Sequence, residues 1–174
     1  MPGLAPAKAA ELDFASLVRR HQAMVYSIAW HILRDRAVAE ELAQDVFLSL
    51  HQHLADLESP EHVQFWLRRV ASNRALDVAR RRQRRPMLSL ESVPEPAAMS
   101  QAGDPLLGAA LRKLVAALPP KPRAIVVLRY QEDLDPAEIA RVLDIPVGTV
   151  KSQLQRALAL LRGKLARSMG EIRI

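Results

Sequence analysis

Apolar positions recur at steps of three and four residues through most of the chain, the spacing of helices that bury one face. Phe14, Leu17, Val18, His21, Val25, Ile28, Ile32 and Leu33 predict a first helix. Ala39, Leu42, Ala43, Val46, Leu50 and Leu54 predict a second, with Glu40, Glu41, Gln44 and Asp45 on its other face. Asp56-Leu-Glu-Ser-Pro breaks the pattern. A third helix follows from Glu61 or Phe65 to Arg82, with Leu67, Ala71, Ala75 and Val78 as its core stripe. Periodicity resumes at Pro105 with Leu106, Ala109, Ala110, Leu114 and Leu118, and Pro119-Pro120 stops it. No alternation long enough for a strand occurs and no internal repeat is present, so the fold class expected is all-α.

The last third is the most structured in sequence terms. Pro122 suits the first turn of a helix over Arg123 to Tyr130. Asp135-Pro-Ala-Glu138 has the form of a capping box: an N-cap Asp, a proline at the first helical position, and a Glu that reaches back to the cap. Ile139, Ala140, Val142 and Leu143 continue that helix to a turn at Asp144-Ile-Pro. A final helix then places Val147, Val150, Leu154, Ala157, Leu161 and Leu165 inward. Two short helices joined in this way predict a helix-turn-helix, whose second helix presents its first residues to base edges in the major groove. With Val150 and Leu154 inward, Thr149, Lys151, Ser152, Gln155 and Arg156 lie outward or to the side. Arg reads guanine and Gln adenine through paired hydrogen bonds, while Lys151, Thr149 and Ser152 are suited to phosphates.

Charge sharpens this picture. The chain has 174 residues, a formal net charge of +6 and a sequence pI near 10.3. A positive balance favours a polyanion, and its distribution says more than its sum. Arg68 to Arg85 holds eight Arg and one Asp, whereas Asp35 to Glu61 holds seven carboxylates and one Arg. From Pro86 to Leu111 there is no Lys or Arg, with three carboxylates and four prolines. Residues 86–104 are therefore expected to form a flexible acidic linker between two small helical modules, 12–85 and 105–170.

On the basic helix Trp66, Arg69, Asn73, Asp77 and Arg80 share one broad side, with Asp77 placed to pair with Arg80 or Arg81. An aromatic beside Arg and Asn suits unstacked, single-stranded DNA. The same residues also fit a plainer arrangement, with Trp66 in the core and the Arg run solvated near the helix C-terminus.

Aromatic residues make up 4% of the chain, so Leu, Val, Ile and Ala must build the core. Cysteine is absent, which excludes disulfides, thiolate metal sites and a cysteine nucleophile and fits a reducing compartment. No apolar run approaches the roughly 18 residues of a membrane span. His51 and His53 fall on different helix faces, a poor metal pair, and the six glycines form no phosphate loop. Neither an enzyme nor a cofactor is expected, and the acidic face of Glu40, Glu41 and Asp45 is read as solvated or turned toward a protein partner.

These stretches resemble the extracytoplasmic-function group of bacterial sigma factors. Arg34-Asp-Arg-Ala-Val-Ala-Glu-Glu-Leu-Ala-Gln-Asp-Val-Phe-Leu48 looks like their region 2.2. Phe65-Trp-Leu-Arg-Arg-Val-Ala-Ser-Asn-Arg-Ala-Leu-Asp-Val-Ala-Arg80 resembles regions 2.3 and 2.4, and Leu118 to Arg162 resembles region 4. The blocks stand in family order and cover about residues 12–167.

The resemblance implies a cytoplasmic subunit that binds RNA polymerase core enzyme and directs promoter recognition, DNA opening and initiation. It implies that Glu41, Gln44, Asp45 and Leu48 face the largest polymerase subunit, and that region 4 meets the second-largest. Trp66, Arg69, Asn73, Arg74, Asp77 and Arg80 would then serve the melted downstream (−10) element, and Thr149, Lys151, Ser152, Gln155 and Arg156 the upstream (−35) duplex. An anti-sigma factor is a frequent partner in the family.

The chain departs from the family pattern in three places. Gln153 stands where many relatives carry Arg, and Gln155 where they carry an aromatic residue or His. The loop 57–64 lacks a common Arg-Gly-Glu, a part of the pocket that takes a flipped-out base. The DNA sequences read therefore do not follow from the resemblance. The alternative reading of the residues is a helix-turn-helix regulator that binds duplex DNA without joining polymerase.

Overall fold

The computed structural model describes residues 13–84 and 105–171. Among these, seven α-helices and one short 3₁₀ turn account for the regular structure, with no strand. Helix α1 spans Phe14–Leu33, α2 Arg36–His53 and α3 Pro60–Arg84. Helix α4 spans Pro105–Ala116, α5 Pro120–Tyr130, α6 Pro136–Leu143 and α7 Val147–Glu171. The expected all-α class holds. The linker expected over 86–104 lies outside the described residues.

Local chemistry sets the helix ends. Asp13 caps α1 by accepting the Ser16 N–H at 3.0 Å, and Arg34 ends it in the left-handed region at φ 56°. Asp35 immediately opens α2, accepting the Val38 N–H at 3.1 Å, so α1 and α2 are joined by two residues and pack side by side. Ser59 caps α3, its hydroxyl accepting the His62 N–H at 3.1 Å, with Pro60 in the first turn where no N–H is missed. The capping box of α6 forms as expected, with Glu138 N–H to Asp135 at 2.8 Å and Asp135 N–H to Glu138 at 2.7 Å.

Leu17, Val25, Ile28 and Ile32 of α1 pack with Ala39, Leu42, Val46 and Leu50 of α2 and with Val63, Leu67, Ala71 and Ala75 of α3. Each fully buried Leu, Ile or Val contributes roughly 1.5–3 kcal/mol relative to exposure. Small residues on α3, from Ala71 to Ala79, let α1 approach closely; α3 also buries Ser72 and Leu76, which the periodicity did not single out. Phe14, Val18, Ala43, Leu54, Val78 and Leu154, expected to face inward, are partly buried and pack against this core. Val147 differs: it is 37% exposed because it begins α7, ahead of the turn that packs Val150.

The apolar cluster does not stop at the end of the first module. It continues through Ala124, Ile125 and Leu128 of α5, Leu134, Ile139, Ala140, Val142 and Leu143 of α6, and Val150 of α7. A smaller cluster of Leu118, Val126, Ala157 and Leu161 holds α7 against the α4 end of its module. The modules thus share one core, with α5 seated on α1 and α3 and α6 seated on α3.

Candidate nucleic-acid interface

Helix α3 carries the basic face. Asn73 lies in its middle, half-buried; its amide donates to Arg69 O at 2.8 Å one turn back and to Val142 O at 2.9 Å on α6. Arg69 donates to Arg141 O at 3.1 Å and reaches toward the Asp144 carboxylate at 4.0 Å. The structure therefore brings Arg69 and Asn73 together, and brings both against the C-terminal end of α6.

The remaining candidates on α3 are placed differently. Trp66 is half-buried beside His53, ring centroids 5.7 Å apart, at the edge of the core. Asp77 and Arg80 pair with each other at 3.2 Å on an exposed turn. Arg74 turns the other way: it donates to Asp45 O at 3.1 Å and to the Ser49 hydroxyl at 2.6 Å, tying α3 to α2. Beyond it Arg80, Arg81, Arg82 and Arg84 are exposed along the last turns, where the helix dipole favours cations. Arg82 donates to the second oxygen of Asp35 at 2.8 Å, so one carboxylate caps α2 and anchors the end of α3. That hydrogen bond, with those from the backbone, holds Asp35 below the usual carboxylate range.

On α2, Glu41, Gln44, Asp45 and Leu48 form an exposed strip, and Leu48 is 63% exposed. Between α2 and α3 runs a groove of about 560 Å³ whose walls carry Glu41 and Asp45 on one side and Asp77, Arg81 and Arg82 on the other.

At the start of α7, Lys151, Gln155 and Arg156 are exposed. Thr149 and Ser152 are half-buried, and the Ser152 hydroxyl donates to Thr149 O at 3.1 Å. The duplex-reading candidates thus share one face, well separated along the chain from those on α3. Among the described residues no group of three His, Asp or Glu side chains is placed to hold a metal ion, and no helix is long and apolar enough to cross a membrane.

Several residues around these faces carry no signal in the sequence. Arg68 pairs with Glu132 across the module seam at 3.1 Å, with side-chain exposures of 18% and 8%. Burial raises the Glu132 pKa, opposed by the hydrogen bond and charge of Arg68. Arg141 lies over the Phe65 ring at 4.9 Å, and Gln131 donates to the Ser27 hydroxyl. Arg123 donates to Ile32 O at 2.7 Å and twice to Leu118 O, at 2.7 and 3.2 Å. Burial, with the nearby charge of Arg34, lowers its pKa, yet a guanidinium remains charged. These partners lie 64 to 104 residues apart in sequence, save Leu118, so periodicity cannot pair them.

A helical bundle with an exposed acidic strip and a basic helix, followed by a helix-turn-helix, defines a class: all-helical proteins that join a bundle to a helix-turn-helix. Comparison with known families gives the membership. Residues 17–85 match Sigma-70 region 2 and residues 108–161 match Sigma-70, region 4. The chain is 34% identical over 173 residues to the ECF RNA polymerase sigma factor SigE of Mycolicibacterium smegmatis, covering 94% of this chain and 66% of that protein. It is 32% identical over 157 residues to the ECF RNA polymerase sigma factor SigM of Mycobacterium tuberculosis, covering 90% and 77% respectively. The chain belongs to the ECF RNA polymerase sigma factors. Its fold is similar to that of the sigma factor RpoE of Bartonella quintana, solved in complex with the anti-sigma factor NepR, with a TM-score of 0.72 at 21% identity over 88% of this chain and 97% of the other.

Proposed function

We propose that this protein is a promoter-reading subunit of bacterial RNA polymerase, which recruits core enzyme to a promoter and supports opening of the DNA there. The observation that carries the reading is the order of faces: an acidic, leucine-bearing strip on α2, a basic Asn-bearing face on α3, and the open reading face of α7, in the order of sigma regions 2 and 4. Glu41, Gln44, Asp45 and Leu48 meet the largest polymerase subunit, and the second module meets the second-largest. Asn73 and Arg69, with Trp66 and Arg80, hold the melted downstream strand. Lys151, Gln155 and Arg156 read the upstream duplex, with Thr149 and Ser152 toward phosphate.

The protein carries out no bond chemistry of its own in this reading. It contributes binding free energy and placement, polymerase supplies catalysis, and the work is done where polymerase is, in the cytoplasm. Arg74 and Asp77 act at one remove, the first by fixing α3 to α2 and the second by directing Arg80. The match to a fold solved with an anti-sigma factor supports a regulatory protein partner.

Run-off transcription with purified core polymerase and promoter templates selected by the protein tests the reading. Transcripts from one defined start, dependent on this protein, are expected. Duplex binding without any protein-dependent transcript points instead to a helix-turn-helix regulator.

A further inference from the structure

Trp66 has an aromatic neighbour that does not belong to its own helix. His53 ends α2, and its exposed ring lies against the half-buried Trp66 ring of α3, with centroids 5.7 Å apart and planes inclined at 35°. Two ties fix where the imidazole stands. His53 Nδ1 donates to Ser49 O at 2.8 Å, one turn back on α2. The Ser49 hydroxyl in turn accepts from Arg74 of α3 at 2.6 Å. The helix pair therefore sets the spacing of the two rings, while the imidazole can still tilt about its bond at Nδ1.

The core does not require this contact. Trp66 packs on the edge of the apolar cluster, and His53 is exposed, so their meeting buries little. Nor does charge draw a strand here, because Glu58 and Glu61 are exposed in the segment that follows His53 and repel phosphate. What the junction offers is two π faces, at the near end of the helix that bears Arg69 and Asn73. A flat ring held between two others needs about 3.5 Å on each side, hence about 7 Å between the outer pair. The present 5.7 Å falls short by roughly 1 Å, a gap that a small rotation of an exposed side chain opens.

We propose that His53 and Trp66 are the two walls of a clamp for one unstacked DNA base, with His53 the residue that completes the site. The proposal rests on the assignment of α3 to the melted strand. Stacking takes hold of a base by its faces, and every base has them, so the clamp fixes a nucleotide without choosing it. Asn73 lies seven residues from Trp66, two turns and about 10 Å along the same side of α3. A strand pinned at the clamp thus brings another of its nucleotides to the Asn73 amide. Holding and reading fall to different residues of one face.

The test uses the protein bound to core polymerase on a pre-melted promoter template, chosen by run-off transcription from a random pool, so that the cost of opening the duplex does not enter. 2-Aminopurine, bright when unstacked and dark when stacked, is moved one position at a time through the melted strand. One position is expected to be dark among bright neighbours. His53→Ala and His53→Gln are expected to brighten it severalfold and to weaken retention of the strand about tenfold. His53→Phe, which keeps a ring and loses the polar atoms, is expected to restore both. Because His53 is exposed, all three variants are expected to melt with the parent; a merely structural histidine would move the melt and leave the dark position alone.

The absence of a dark position, or one unchanged in His53→Ala, or one lost equally in His53→Phe, overturns the clamp. If Asn73→Ala still weakens strand retention, α3 keeps its place on the strand without the clamp. If neither Trp66→Ala nor Asn73→Ala alters retention or any position, the assignment of α3 falls and the clamp with it.

Discussion

Arg123 shows how much of this fold depends on single side chains with remote partners. Its guanidinium closes the end of α1 through Ile32 O and the α4–α5 turn through Leu118 O, both main-chain acceptors. Arg123→Met keeps the apolar stem and strands both carbonyls. A loss of about 2–3 kcal/mol in a urea titration is expected, and Arg123→Lys, which has no planar fork, is expected to recover only part of it. His21 gives a pH signature. Its ring is 6% exposed, its Nε2 has no protein partner, and burial first, then the charges of Arg20 and Arg68, hold its pKa below the usual histidine value. The unfolded chain therefore takes up a proton near pH 6.5 that the folded chain resists, so stability is full above that pH and declines as the pH falls below it. Glu132, raised by burial, has the opposite slope at lower pH, where folding favours its protonated form. His21→Leu is expected to flatten the stability profile between about pH 7 and pH 5, measured as denaturation midpoints. A slope that survives the substitution would assign it to other groups.

At the scale of the element, the helix-turn-helix was the most legible part of the sequence because its information is local. Asp135 and Glu138 stand three residues apart and bond each other's backbone as the spacing implies. Asp135→Ala is expected to lower the stability of the protein by about 1 kcal/mol and Asp135→Asn by much less, read in the same melts. The face of α7 was legible for the same reason, from the inward Val150. Lys151→Ala is expected to weaken upstream duplex binding evenly across sequences and to reduce the salt slope by about one. Arg156→Ala is expected to cost about 1–3 kcal/mol at one base pair, as measured by fluorescence anisotropy on a duplex panel. Periodicity misplaced Val147, because a pattern continued back to a helix's first residue cannot tell whether a facing helix reaches that far. It could not place Arg74 either: one helix face in projection does not reveal that its guanidinium is held by Asp45 O and Ser49.

At the scale of the molecule, the sequence led to two modules but not to their contact. The change in charge and proline content after Arg85 marks a division of the chain, and nothing in that signal says that Ile125, Val142 and Leu143 will join the core of the first module. An apolar residue at helical spacing reads alike whether it is buried within its own unit or against another. The acidic strip on α2 belongs to this scale too, since it lies outside the module seam. Glu41→Lys combined with Asp45→Lys is expected to weaken core-polymerase binding by several kcal/mol if the facing charges are desolvated, while duplex binding by α7 is unchanged. Titration of labelled protein with core enzyme reads the first, and anisotropy the second.

The bonds from Asn73 and Arg69 end on the main-chain oxygens of Val142 and Arg141, and that from Arg123 on the oxygen of Ile32. Every residue type has that oxygen. Mutation at 141 can therefore change the side chain that lies over Phe65 without removing the acceptor that Arg69 uses. The contact between the modules is thus one that can be inherited while the side chains along it change.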